Sequence, residues 1–110
     1  MDRIKVSDHE IHFKEHGAGA PIILLHGYGG THLDWDAVAL DLAKTHRVFL
    51  PNFSSHYLDP KNRLSFVDLV DLVGEFGREV QKLTGQPVTL AGASFGGALG
   101  WAVGIRYPEV

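Results

Sequence analysis

The chain has 110 residues, 45% of them hydrophobic, with a formal net charge of −3 and no cysteine. That is one domain at most, with enough apolar content for a modest core and too much for disorder. It excludes disulfides, a thiol nucleophile and thiolate metal sites, and without a basic block there is no footprint for nucleic acid or an anionic membrane. The opening MDRIKVSDHEIHFKEHG carries charges throughout and lacks the apolar core of a signal peptide, so a cytoplasmic location is expected. The longest low-charge stretch, Pro87 to Ile105, is glycine-rich and broken by a turn signal, so no membrane span is expected.

Ile4 and Val6, then Ile11 and Phe13, alternate with polar residues about a turn-like Ser7-Asp8-His9, which predicts a leading β-hairpin. Gly17 to Pro21 breaks the pattern. Ile22 to Leu25 is a continuous apolar run, the mark of a strand buried on both faces, and it ends in the glycine-rich loop His26-Gly27-Tyr28-Gly29-Gly30. Trp35 to Lys44 has apolar residues at helical spacing (Trp35, Val38, Ala39, Leu42), with Asp34 as its N-cap. Arg47 to Leu50 reads as a short strand stopped by Pro51, and residues 52–62 read as a loop.

Ser65-x-x-Asp68 is a variant capping box that opens the longest predicted helix, Ser65 to Leu83. Its apolar positions 66, 69, 73, 76, 80 and 83 form one stripe. Gly74 and Gly77 each cost about 1 kcal/mol relative to alanine in a helix, and are read as permitting close packing. Thr84-Gly85 ends the helix. Val88, Leu90 and Ala91 then form a strand leading into Gly92-Ala93-Ser94-Phe95-Gly96 and a final apolar helix. The order β-β-β-α-β-α-β-α argues for an α/β fold, with a mostly parallel sheet covered by helices through right-handed crossovers.

With 13 glycines in the chain, Gly-x-Ser-x-Gly alone is a weak pattern. Its position between a strand and a helix is the context a nucleophile elbow requires, with Ser94 at the apex and small residues where side chains would clash across the turn. A serine nucleophile needs donors for the oxyanion formed on attack. The Phe95 amide, at the start of the last helix, is one candidate, and it gains from the helix dipole. The loop after Leu25 supplies the other, the Tyr28 amide first and Gly29 second. Gly27, Gly29 and Trp35 are the candidate substrate-binding positions. Tyr28, Phe95 and Trp35 are read as pocket lining or core with equal weight.

PIILLHGYGG, the Trp35 helix, RVFLP and VTLAGASFGG with its following helix and RYPE together resemble the α/β-hydrolase superfamily, serine-hydrolase type, over essentially the whole chain. The resemblance implies acylation of Ser94 by a small-molecule ester or related acyl compound, activation by a histidine–acid pair, and no cofactor or metal. It also implies that His26 supports its loop. Esterase, lipase, carbon–carbon bond hydrolase and acyltransferase chemistries are not separated. The stretch Pro51-Asn52-Phe53-Ser54-Ser55-His56 differs from the Asp and Gly-x-Gly turn that members commonly carry. No histidine follows Ser94, and Glu109 is the only acid after it. Since the triad order in this fold is serine, acid, histidine, residues 1–110 are expected to be a partial, amino-terminal core domain that is inactive alone.

Two other readings are weighed. Gly92 to Ala98 is similar to the glycine loop of NAD(P)-binding short-chain dehydrogenases, and Tyr57 and Lys61 show their Tyr-x-x-x-Lys spacing. Against it stand Ala98 in place of the final glycine, the late position of the loop, and Pro60 between Tyr57 and Lys61. The other reading is a non-catalytic hydrolase-like domain. His9, His12 and His16 are read as solvated and not as a metal site. Gly96, Gly100 and Gly104 are read as close helix–sheet packing, and an uncovered sheet edge at Val88–Leu90 is expected to favour self-association.

Overall fold

The computed structural model describes residues 2–27, 29–54 and 64–110. Its elements are β1 (Asp2–Val6), β2 (His9–His16), β3 (Ala20–Leu25), a 3-10 turn (His32–Trp35), α1 (Asp36–Leu42), β4 (His46–Pro51), α2 (Phe66–Thr84), β5 (Thr89–Gly92) and α3 (Phe95–Arg106). The sheet order is β1-β2-β4-β3-β5. The three strands that alternate with helices are parallel, with Ile22 opposite both Val48 and Thr89. The leading hairpin adds two antiparallel pairings, β1 to β2 and β2 to β4, so the sheet is mixed.

Side chains alternate across a strand, and β3 uses this to serve two cores. Ile23 and Leu25 join Phe13, Phe49, Val73, Phe76, Val80, Leu99 and Val103 on the face covered by α2 and α3. Leu24 turns the other way, to Ala39, Val48 and Leu50 beneath α1. A strand buried on both faces has no polar position to spare, hence the unbroken apolar run.

The capping box of α2 forms in both directions. The Ser65 amide donates to Asp68 Oδ2 at 2.8 Å and the Asp68 amide to Ser65 Oγ at 3.1 Å. Gly85 ends the helix with φ 68°, a left-handed cap that favours glycine. Of the predicted stripe, Val73, Phe76 and Val80 are buried, whereas Phe66 and Leu83 at its two ends are exposed. The helix has 19 residues, about 28 Å at 1.5 Å per residue, and overhangs strands of four to six residues that reach about 13–20 Å.

Gly74 and Gly77 permit the close packing expected of them. A Cβ at Gly74 would lie 2.5 Å from the Tyr107 ring, and one at Gly77 2.6 Å from Val110 Cγ1. The segment after α3 thus lies against α2, fastened by Arg78 to Glu109 at 2.6 Å and by Tyr107 Oη to Asp71 at 2.6 Å. Hydrogen bonds from Tyr107 and then Arg106 hold the Asp71 carboxyl below its ordinary range.

The helix predicted from Trp35 to Lys44 forms as α1, Asp36–Leu42, and a 3-10 turn over His32–Trp35 precedes it. Two expectations are corrected. Thr31 caps the 3-10 turn, its Oγ1 accepting from the Leu33 amide at 3.2 Å, while Asp34 lies inside that turn. Thr31 is the better placed of two good capping residues because the turn begins one residue after it. Gly104 does not face the sheet: nothing lies within 4 Å of where its Cβ would be. Among the described residues, no helix is long and apolar enough to cross a membrane.

Candidate active site at the serine elbow

Ser94 has φ 56° and ψ −117°. For a residue with a Cβ this is a strained conformation, costing on the order of 1–3 kcal/mol. It is held by what surrounds it. A Cβ at Gly92 would fall on the Gly96 carbonyl, and a Cβ at Gly96 would fall on the carbonyl oxygen of Leu25. The two flanking glycines therefore let β5 turn directly into α3 against the central strand. The turn is closed by the Gly96 amide on the Ala93 carbonyl at 3.0 Å. Ser94 is exposed, and its hydroxyl makes no capping bond to the helix it precedes.

The Phe95 amide is the first of α3, at the positive end of the helix dipole. The Phe95 ring packs against the main core and meets Phe66 edge-on, centroids 5.9 Å apart. Its side chain is thus a buttress under the elbow.

The loop after β3 reaches the elbow. The Gly30 amide donates to the Gly27 carbonyl at 3.0 Å, and Gly29 sits between them with φ 79°, in the left-handed region that favours glycine. A Cβ at Gly27 would stand 3.5 Å from the Ala93 carbonyl and 3.8 Å from Ser94 Cβ, so a bare glycine faces the serine. Tyr28, the preferred second donor, lies outside the described residues, as do Tyr57 and Lys61. Trp35 is half-buried and packs against the cluster of Leu24, Ala39, Val48 and Leu50 beneath α1.

His26 is buried, with both ring nitrogens engaged. Nδ1 donates to the Gly27 carbonyl at 2.9 Å, and Nε2 accepts from the Phe53 amide at 2.9 Å. This neutral tautomer ties the loop after β3 to the loop after β4. Asn52 shapes that second loop, its Oδ1 accepting from the Ser54 amide at 3.0 Å. A carboxylate at position 52 would accept the same bond. His12 pairs with Glu10 at 3.0 Å, and among the described residues no group of three side chains could hold a metal ion.

One residue near the site had no signal in the sequence. His32 is buried in the 3-10 turn, and its Nδ1 has no partner among the described residues. Burial, then Lys14, hold it below the ordinary histidine value of 6.5 against the pull of Asp36 and Asp34, with His26 adding to the lowering. The unfolded chain therefore takes up this proton first as pH falls. His32 contributes its full stability above about pH 6.5, and that contribution is lost as pH drops through its lowered folded value. His32→Gln is expected to lose less stability than the parent between pH 7 and pH 5, measured as the shift in urea midpoint. Equal losses in the two proteins would assign the acid sensitivity elsewhere.

The chain belongs to the α/β hydrolase fold family, whose sequence pattern it matches over residues 20–110. It is 29% identical over 103 residues to the 2-hydroxy-6-oxo-2,4-heptadienoate hydrolase of Pseudomonas putida, covering 91% of this chain and 37% of that protein. It is 34% identical over 102 residues to the 2-hydroxymuconate semialdehyde hydrolase of a Pseudomonas species, covering 84% of this chain and 34% of that protein. The chain thus spans about a third of the length of these relatives. Among solved structures it is similar to an epoxide hydrolase of Vigna radiata, with TM-score 0.82, 21% identity, and 98% of this chain and 36% of that one covered. At that identity the likeness is one of fold. The family match leaves the nicotinamide-binding alternative without support, and the glycines on which it rested pack the elbow against β3.

Proposed function

We propose that Ser94 is the nucleophile of a serine hydrolase acting on a small carbonyl compound. The single observation that carries this is the strained backbone of an exposed Ser94 at the junction of β5 and α3. In the proposed reaction Ser94 Oγ attacks the carbonyl carbon, and the Phe95 and Tyr28 amides hold the oxyanion. The adduct collapses, its bond to the leaving group breaks, and that group departs with the proton taken from Ser94, leaving an acyl ester on Oγ. Water then cleaves the ester, giving the free acid and restoring the Ser94 hydroxyl. A histidine–acid pair from outside these 110 residues takes the Ser94 proton, since both nitrogens of His26 are engaged. The two curated relatives are named for small unsaturated acids with a second carbonyl, which favours substrates of that kind over long-chain lipids.

A fluorophosphonate probe tests the reading. In a protein that carries this chain together with a downstream acid and histidine, Ser94 is expected to be labelled, and Ser94→Ala to abolish labelling. The 110-residue chain alone is expected to label slower by several powers of ten, as for a triad without its base. Labelling at another residue, or none in the longer protein, would leave a non-catalytic hydrolase-like domain as the better account.

A further inference from the structure

Two buried polar atoms near the loop after β3 have no partner among the described residues: Nδ1 of His32, a residue 8% exposed, and Oδ1 of Asp36. His32 opens the 3-10 turn and Asp36 opens α1, and side chains four apart along a helical path are neighbours. The other Asp36 oxygen, Oδ2, lies 3.8 Å from Lys14 Nζ on β2. The turn is joined to the loop that faces Ser94. A Cβ at Gly30 would fall on the Asp34 carboxylate, so the turn lies directly against the loop. The Gly30 amide holds the Gly27 carbonyl at 3.0 Å, the same oxygen that accepts from His26 Nδ1 at 2.9 Å. The groups that act on His32 are Lys14 from β2, Asp36 from α1, His26 at the end of β3 and Asp34 in the turn itself. Of the other charged or titratable side chains on β4 and α1, Arg47 is bound to Glu15, His46 to Thr45 and Asp41 to Lys44.

We propose that His32 is a positioning residue that makes the loop facing Ser94 sensitive to protons. When neutral, it leaves the turn where the structure shows it. When protonated, its Nδ1–H donates to Asp36 Oδ1 and draws the turn toward α1, and Gly30 and Gly27 move with it, away from the serine. The physical reason is that a buried polar atom without a partner is costly, and one proton satisfies two of them. An imidazolium carries an N–H on both ring nitrogens, and its charge strengthens the bond to a carboxylate. The two arrangements are discrete, since the Nδ1–Oδ1 bond is either made or not, and the contact of Asp34 with Gly30 passes the difference to the loop. Protonation therefore lowers the reactivity of Ser94. This rests on the assignment of the loop as one side of the oxyanion site.

The test uses the protein of the fluorophosphonate experiment and follows the amide NMR resonances of Gly27 and Gly30 as pH is lowered. They are expected to shift with the same midpoint as the His32 ring, below 6.5, and to keep their neutral-pH positions in His32→Gln. His32→Asn replaces that variant if the glutamine alters the far-ultraviolet circular dichroism. In the same pair, the logarithm of the Ser94 labelling rate is expected to fall with pH about twice as steeply in the parent as in the variant. The parent loses rate to protons on His32 and on the downstream histidine, the variant to the latter alone. Glycine amides that stay in place while His32 titrates, or that shift equally in the variant, would overturn the proposal. So would equal slopes, or a protein that unfolds before His32 takes up its proton. If the glycines follow His32 in a protein whose Ser94 is never labelled, the serine-hydrolase reading fails and the proton coupling stands.

Discussion

Gly96→Val is expected to prevent the native fold from forming. Gly96 is buried where α3 crosses β3, and a Cβ there would meet the carbonyl oxygen of Leu25 and stand 2.6 Å from that of His26. Both are main-chain atoms of the central strand and its exit loop, so neither can rotate aside as a side-chain tip would. Relief requires α3 to lift from the sheet, exposing Leu99 and Val103, two members of the main core. Damage of this kind falls in the rare class above about 4 kcal/mol, comparable with the whole stability of a small domain. Circular dichroism during heating is the measurement, and no cooperative melt is expected. Gly104→Ala on the same helix is the matched control: nothing stands near its Cβ, and an alanine there should stabilise by up to about 1 kcal/mol. A Gly96→Val protein that melts within a few degrees of the parent would show that the close approach is not real.

Phe76→Ala should be the most damaging side-chain truncation. Phe76 is 1% exposed and lies under the sheet, with Phe13 at 5.4 Å and Phe53 at 6.3 Å between ring centroids. Removing a buried phenyl costs about 3–5 kcal/mol, from the lost transfer energy and the cavity left behind. The effect also travels. Phe53 packs edge-on against Phe76, and its amide is the donor that fixes His26 Nε2. A cavity at 76 therefore loosens the support of the loop facing Ser94. Urea unfolding should show a midpoint lowered in proportion, with the slope unchanged. A loss under 1 kcal/mol would mean that the neighbouring rings close over the gap.

What could be read in the residues was whatever is decided locally. The hairpin, the strand of Ile22 to Leu25, the Ser65–Asp68 capping box and the Gly85 stop each depend on side chains within a few positions of one another. The elbow was legible for the same reason, since five consecutive residues carry it. What could not be read depends on contacts distant in sequence. Gly74 and Gly77 announced a close neighbour but not that it is Tyr107 and Val110. The apolar stripe of α2 marked a face, yet burial stops where the sheet ends, so Phe66 and Leu83 are outside. Trp35, as much pocket as core in the sequence, depends on which face of the sheet α1 covers. His32 sits in no periodic pattern, and it is buried in a 3-10 turn that lies ahead of the helix predicted from Trp35.

The strand order has a consequence for the chain as it is made. β3 is flanked by β4 on one side and β5 on the other, and β5 follows both β4 and α2 in the sequence. During synthesis at about 5–20 residues per second, Ile23 and Leu25 therefore wait for seconds before the edge strand and α3 that cover them have been translated. The leading hairpin, β1 on β2, is self-contained and can form first. A ribosome-bound chain stalled before Thr89 would hold a sheet whose most apolar strand has one open edge. While residues 51 to 92 are being made, that edge is open to chaperone capture.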